Sequence, residues 1–357
     1  MSKTHFFTLA LLLCTTAASA QIHVKDSYYL QHPQLSSLDS TIAAGTYGEI
    51  TSVLVARQGK LIVERYYNGA DENSRHNTRS ATKTIASLLT GVAVDRGYFD
   101  SEKDLLFTHL AYKLPVDNPD PRKDSITLED LLTMSSPLEC DDSNPYSRGN
   151  EERMYPIEDW TGFFLDLPIR SYPFGPKPEE LPYGRSFSYC TAGAATLAEA
   201  ISSAAGMSAQ ELAKEALFRP LGITEYTLHH TPQDILNTAG GSEYRSRDLL
   251  KLIQMCLNGG RWNGQQVIPQ EWIEKATTPK VQVRPGLEYG YLFWLKGFGE
   301  NEQYKAYSMA GNGGQKVLAI PELDMTVVIT TTNYGNRQAH DYTDAIINDY
   351  ILPAIEQ

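Results

Sequence analysis

Arg79-Ser-Ala-Thr-Lys-Thr-Ile-Ala-Ser-Leu-Leu89 is the stretch on which the reading of this chain turns. It contains a Ser-x-x-Lys element, Ser80 to Lys83, and no other serine in the sequence has a lysine three residues later. From Ala81 to Gly97 the pattern is helical, with Leu88, Leu89, Val92 and Val94 apolar and Gly97 available as a C-terminal cap. Ser80 then stands at a helix start, where unpaired N–H groups and the macrodipole favour negative charge. Residues i and i+3 share one helix face, so the Lys83 amine can reach the Ser80 hydroxyl. Surrounded by apolar Ala81, Ile85 and Ala86, such a lysine is suited to take the proton of a serine nucleophile. The plain alternative is an N-cap serine followed by a solvated lysine, and the tetrapeptide alone leaves both open.

Working outward from this helix, two β-rich runs, 49–57 and 60–66, flank Gln58-Gly59 and read as a hairpin. The residues before it, from Gln21 onward, are polar with no strong period. Strand patterns return at 304–310, 315–320 and 325–332, with turns at Gly313-Gly314 and at 321–324, and a helix over about 341–355 closes the chain. Between them lie helical pieces at 128–134, 157–165 and 191–205, separated by loops rich in Pro, Asp and Ser, of which 141–150 is the longest. Strands at both ends around a helical middle predict an α/β (α+β) fold. An antiparallel sheet built from 21–100 and 240–357 would be flanked by helices, with a mainly helical region, 101–239, inserted to complete a cleft.

Composition agrees with a globular chain. Of 357 residues, 41% are hydrophobic and 21% charged, which excludes disorder, collagen and coiled coil as the main state. The net charge of −12 repels phosphate backbones and argues against a nucleic-acid partner. Lys3, the apolar run 6–13 and Ala18-Ser-Ala20 before Gln21 have the pattern of a signal peptide, 1–20, cleaved after Ala20. The run is too short to span a bilayer, so the expectation is a periplasmic or secreted protein with no stable membrane anchor after cleavage. Export leaves Cys140, Cys190 and Cys256 in an oxidising setting. Cys256 falls on an apolar helix face and reads as a core thiol. Cys140 and Cys190 lie in loop-like segments, and either they pair or all three remain unpaired.

The 79–89 segment resembles the nucleophile helix of the serine β-lactamase-like hydrolases. That group includes class C β-lactamases, D-Ala-D-Ala carboxypeptidases, family VIII esterases and 6-aminohexanoate-dimer hydrolase. The resemblance continues through Ile126-Thr-Leu-Glu-Asp-Leu-Leu-Thr-Met-Ser135, Phe218-Arg-Pro-Leu-Gly-Ile223 and Asn258-Gly-Gly-Arg-Trp-Asn-Gly264. Ile268-Pro-Gln-Glu-Trp272, Tyr289-Gly-Tyr-Leu-Phe-Trp294 and Ile320-Pro-Glu-Leu-Asp324 extend it over about 50–335. It implies the β-lactamase-like fold and an enzyme in which Ser80 forms an acyl-enzyme with a small-molecule ester or amide, without metal or cofactor. In Phe187-Ser-Tyr-Cys-Thr-Ala-Gly193, Tyr189 takes the place of the tyrosine of the family's Tyr-x-Asn motif. Beside Lys83, its phenol can relay protons. Thr191 stands where that motif has Asn.

The third family motif, Lys-Thr-Gly or His-x-Gly, falls in Ser308-Met-Ala-Gly-Asn-Gly-Gly-Gln315. If Met309-Ala-Gly311 takes its place, the backbone N–H of Asn312 joins that of Ser80 as the oxyanion hole, and Gly313-Gly314 forms the turn. If Asn312-Gly-Gly314 takes it, the donor is Gln315. The first register is preferred. Thr191, Gly311, Gly313 and Gln315 are the candidates for substrate contact. Neither register supplies a Lys or His, so the resemblance implies a preference for neutral esters and uncharged amides. A D-Ala-D-Ala-type peptidase, a linear-amide hydrolase and an inactive binding protein on the same scaffold are the alternatives. His76 reads as structural. Asp141-Asp142 and Glu151-Glu152 read as a solvated loop, since no His or Cys lies at metal-ligand spacing to them.

Overall fold

The computed structural model describes residues 30–172 and 175–355. The expected signal peptide lies outside them. Helix α1, Pro33–Ala43, opens the described chain, with Pro33 at its first turn. It buries Leu35, Leu38 and Ile42 at helical spacing, a stripe that the intervening Ser and Thr residues hide from a periodicity count. Strands β1 (Ile50–Arg57) and β2 (Lys60–Tyr66) then form the expected hairpin. Gln58 and Gly59 both have positive φ, 51° and 68°, the two-residue geometry that matches strand twist.

The rest of the sheet comes from the far end of the chain: β3 (Val281–Arg284), β4 (Leu287–Tyr289), β5 (Trp294–Phe298), β6 (Tyr304–Gly311), β7 (Gln315–Ile320) and β8 (Met325–Thr331). The spatial order is β2-β1-β8-β7-β6-β5-β4-β3, antiparallel throughout, and β1 pairs with β8 from Ile50↔Thr331 to Arg57↔Met325. Strands β3 to β5 were not legible as strands, because glycines and turn residues interrupt them. Both faces of the central strands are covered. Leu54, Ala56, Met309, Val317 and Val328 face the inner helices, and Val53, Val55, Leu318 and Ile329 face α1 and the C-terminal helix. Hence these strands read as continuous apolar runs rather than alternating ones.

Helix α2, Lys83–Asp95, is buried from Lys83 to Ala93. Covered on every face, it is the central pillar between the sheet and the helical region. Gly91 allows Trp272 to lie directly on it, since a Cβ there would come within 2.5 Å of the indole. The helical region contributes α3 (Leu128–Leu132), whose Thr127 and Asp130 form a capping box, α4 (Trp160–Asp166) and α5 (Thr191–Ala205), closed by Gly206 at φ 65°. Helix α6, Ser246–Leu257, packs across β1, β7 and β8. The chain ends as Ala339–Ala345, a π turn over Ile346–Ile351, and Leu352–Ile355. Among the described residues no helix is long and apolar enough to cross a membrane.

Candidate active site

Ser80 does not begin the α-helix itself. It sits in a 3₁₀ turn, Arg79–Thr82, that leads into α2 at Lys83. The turn is pinned to the 239–242 segment: Thr78 donates to the Ser242 carbonyl from its N–H (3.0 Å) and its hydroxyl (2.7 Å), and the Gly241 N–H donates to the Arg79 carbonyl at 3.2 Å. Lys83 is 2% exposed. Its Nζ donates to Ser80 Oγ at 3.2 Å and to the Ala239 carbonyl at 2.5 Å, so the amine is held at the hydroxyl by a backbone group from another segment.

Tyr189 closes the cluster, its ring centroid 5.0 Å from Lys83 Nζ. The strand-like segment that carries it is held on all sides. The Ser188 N–H donates to the Met134 carbonyl (2.8 Å), its hydroxyl to the Cys140 carbonyl (2.5 Å), and the Asp142 N–H to the Tyr189 carbonyl (2.9 Å). Upstream, Arg185 bridges Glu129 at 2.6 Å and Asp130 at 2.7 Å at the start of α3. Cys140 and Cys190 form a disulfide with Cα atoms 5.3 Å apart, tying the 141–150 loop to the residue after Tyr189. Cys256 is buried and unpaired, its thiol pushed up to about 12 by that burial.

The third segment approaches Ser80 edge-on. A Cβ added to Gly311 would lie 2.2 Å from the Thr78 carbonyl oxygen and 3.1 Å from the Ser80 nitrogen, so only glycine lets β6 come this close to the turn. Asn312, Gly313 and Gly314 follow as a turn, with Gly313 and Gly314 at φ 88° and 86°, and Gly311 pairs with Gln315. Asn312 thus follows directly on the residue packed against Ser80, and its side-chain oxygen accepts the Gly335 N–H at 2.8 Å. Gln315 does not serve as a substrate-contacting side chain: it is 1% exposed, and its amide is spent on the backbone N–H and carbonyl of Thr331. Gly313 belongs to the turn, its carbonyl accepting the Thr331 hydroxyl. Thr191 is also interior, at the first turn of α5, its N–H donated to Asp142 at 2.7 Å.

Several features were invisible in the sequence. The 141–150 loop is not simply solvated. The Asp142 carboxylate accepts the N–H groups of Thr191 (2.7 Å) and Glu151 (2.9 Å), and Asn150 is buried with its amide donating into the loop. Burial, reinforced by Glu151, pushes the Asp142 carboxyl up to about 6, while Lys83 pulls the other way. Trp294, which nothing in the sequence placed at the site, stacks on Tyr189 at 5.9 Å between centroids, and Phe187 and Tyr289 join it in an aromatic wall beside the catalytic candidates. His76 is structural, as read: its Nδ1 meets the Thr51 hydroxyl at 3.2 Å, and burial lowers it to about 4. No cation reaches the third segment from the obvious sources. Met309 fills the lysine position inside the core, Arg185 is consumed by its two carboxylates, and Lys316 points to the opposite sheet face, against Asp344 of the C-terminal helix.

The geometry accords with what the chain matches. The family model described as Beta-lactamase matches residues 44–350. No curated protein matches the sequence closely enough to count as a relative. Among solved structures, a protein described as a candidate 6-aminohexanoate-dimer hydrolase from Bacillus anthracis superposes with a TM-score of 0.68 at 20% identity, covering 94% of this chain and 87% of that one. EstCE1, a hydrolase with promiscuous acyltransferase activity, gives 0.68 at 14% identity over 91% and 98%. A class C beta-lactamase from Rhodobacter sphaeroides gives 0.61 at 15% identity over 89% and 99%. At such identities the superpositions speak for the fold alone. The family match spans most of the chain, and it runs through the Ser80 turn, the Tyr189 segment and β6 alike. The chain therefore belongs to the beta-lactamase family and is a serine hydrolase of the β-lactamase-like fold.

Proposed function

We propose that this protein is an exported hydrolase that cleaves an ester or amide through a Ser80 acyl-enzyme, with Lys83 and Tyr189 as its proton-transfer partners. The observation that carries the reading is the 3.2 Å contact between Lys83 Nζ and Ser80 Oγ, with the Tyr189 ring beside the same amine. As Ser80 Oγ attacks the carbonyl carbon, its proton passes to the Lys83–Tyr189 pair. The negative charge moves onto the carbonyl oxygen, where the backbone N–H groups of Ser80 and Asn312 receive it. Preorganised donors of this kind are worth about 10²–10³ each in rate. The pair then returns the proton to the leaving alkoxide or amine as that bond breaks. Water, deprotonated by the same pair, releases the acid and restores Ser80.

The aromatic wall of Phe187, Tyr189 and Trp294 favours an apolar group beside the scissile bond. The test is labelling with a fluorophosphonate probe followed by mass mapping, alongside a panel of nitrophenyl esters and nitroanilides. Labelling of Ser80, and turnover abolished by Ser80→Ala, is the expected result. Turnover that survives Ser80→Ala would overturn the reading.

A further inference from the structure

Arg79, the residue immediately before the nucleophile, has φ 51°, a left-handed conformation that glycine adopts freely and arginine rarely does. It is held there by two hydrogen bonds: its N–H donates to Asn77 Oδ1 at 3.0 Å, and its carbonyl accepts the Gly241 N–H at 3.2 Å. Strain of this kind persists where the surroundings over-determine it, and it clusters at functional sites. The side chain is exposed yet fixed. Its guanidinium carbon lies 4.1 Å from the centroid of the Tyr334 ring. That ring is placed in turn by its hydroxyl, which donates to the Asn77 carbonyl at 3.2 Å, and by Gly313, where an added Cβ would lie 3.0 Å from it. The guanidinium therefore lies against Tyr334, whose ring is the neighbour of the 312–314 turn. Among the described residues, no carboxylate lies within ion-pair distance of it.

We infer that Arg79 is a carboxylate-binding residue of the cleft, and that the substrates it selects are esters or amides bearing a carboxylate near the scissile bond. A guanidinium stacked by its face keeps N–H groups free at its edge even where one meets the Tyr334 hydroxyl, and two such groups can grip a carboxylate. Stacking on Tyr334 also removes most of the rotamer freedom that would otherwise be lost on binding. The inference reverses the expectation of neutral substrates, which rested on the third motif alone, and it rests on the Ser80 acyl-enzyme reading above.

The experiment compares three esters on the full chain and its variants: neutral 4-nitrophenyl butyrate, mono-4-nitrophenyl succinate with a carboxylate on the acyl side, and 4-acetoxybenzoate with one on the leaving side. Arg79→Gly suits the backbone angle and so preserves the turn while removing the cation. The readout is kcat/KM for each anionic ester divided by that for the neutral one. Arg79→Gly lowers this ratio roughly ten-fold for at least one anionic ester, chiefly through KM, the lower end of what a charge-assisted contact supplies. Arg79→Lys loses less, and Tyr334→Leu falls between, because the cation remains but is no longer anchored. Ratios unchanged within two-fold for both anionic esters would overturn the assignment, as would a loss shared equally with the neutral ester. Failure of the acyl-enzyme reading shows separately, as absence of Ser80 labelling in the unaltered protein.

Discussion

The most exacting test of the site is a single methyl group. In Gly311→Ala the new Cβ would meet the Thr78 carbonyl oxygen at 2.2 Å, the Ala81 nitrogen at 3.0 Å and the Ser80 nitrogen at 3.1 Å, where ordinary contact begins at 3.4 Å. All three are backbone atoms of the nucleophile turn, so no side chain can rotate away. Either β6 or the turn must retreat by roughly 1 Å in a close-packed interior. The turn is tied to Ser242 and Gly241 by four hydrogen bonds, which leaves β6 and its Asn312 N–H as the part that moves. Overpacking of this kind costs about 1–3 kcal/mol of stability. The larger effect is catalytic, since a misplacement of about 1 Å costs on the order of 10²-fold. The assay is kcat/KM with a nitrophenyl ester, together with the rate of fluorophosphonate labelling, which draws on the same oxyanion donors. Both fall about 100-fold while the protein still unfolds cooperatively, a few degrees lower. Gly175→Ala, where nothing lies within 4 Å, is the control and changes neither. If Gly311→Ala keeps more than half of wild-type activity and labelling, then β6 does not set the oxyanion geometry and Asn312 is not the second donor.

Lys83→Met and Tyr189→Phe each reduce kcat severely, but the double variant is little worse than either alone, because the two act as one proton-transfer unit; additive losses in steady-state kinetics would contradict this. Burial raises the Asp142 carboxyl from 3.8 to about 6, so its contribution to stability is present below pH 4 and is lost as pH rises to 6, on the order of 2 kcal/mol. Asp142→Asn flattens that part of the profile, which the difference in urea midpoints between wild type and variant at pH 4 and 7 reads directly. Reducing the Cys140–Cys190 bridge, or replacing both with Ser, lowers stability by ~2–4 kcal/mol and loosens the Tyr189 segment, seen as a drop in both Tm and kcat. Thiol titration of the unreduced protein under denaturing conditions finds Cys256 free and Cys140 and Cys190 unreactive.

The proposed catalytic core was legible because its residues are close along the chain or carried by local pattern. Ser80 and Lys83 are three apart, and the short 3₁₀ turn that leads into α2 sets their distance locally. The hairpin at Gln58-Gly59, the strands β6 to β8 and helix α5 all announce themselves through turn chemistry and apolar runs. Even the pair Cys140 and Cys190 could be named as candidates, since beyond the expected signal peptide only these two cysteines lie outside an apolar helix face.

What the tertiary structure alone decided concerns contacts between segments distant in sequence. Nothing local says that the Ala239 carbonyl will aim the Lys83 amine, that Asp142 will cap α5 from a loop that reads as solvated, or that Trp294 will stack on Tyr189. Nor could the glycines of the third motif show which of them abuts the Ser80 turn: at 311 an added Cβ would lie 2.2 Å from the carbonyl oxygen of Thr78, 233 positions away. The same holds for charge. By residue type Lys316, Arg185 and Arg79 are equivalent cations. Only folding buries the first against Asp344, spends the second on Glu129 and Asp130, and leaves the third stacked on Tyr334. A side chain's chemical type is local information, whereas its partners depend on which surfaces the packed core brings together.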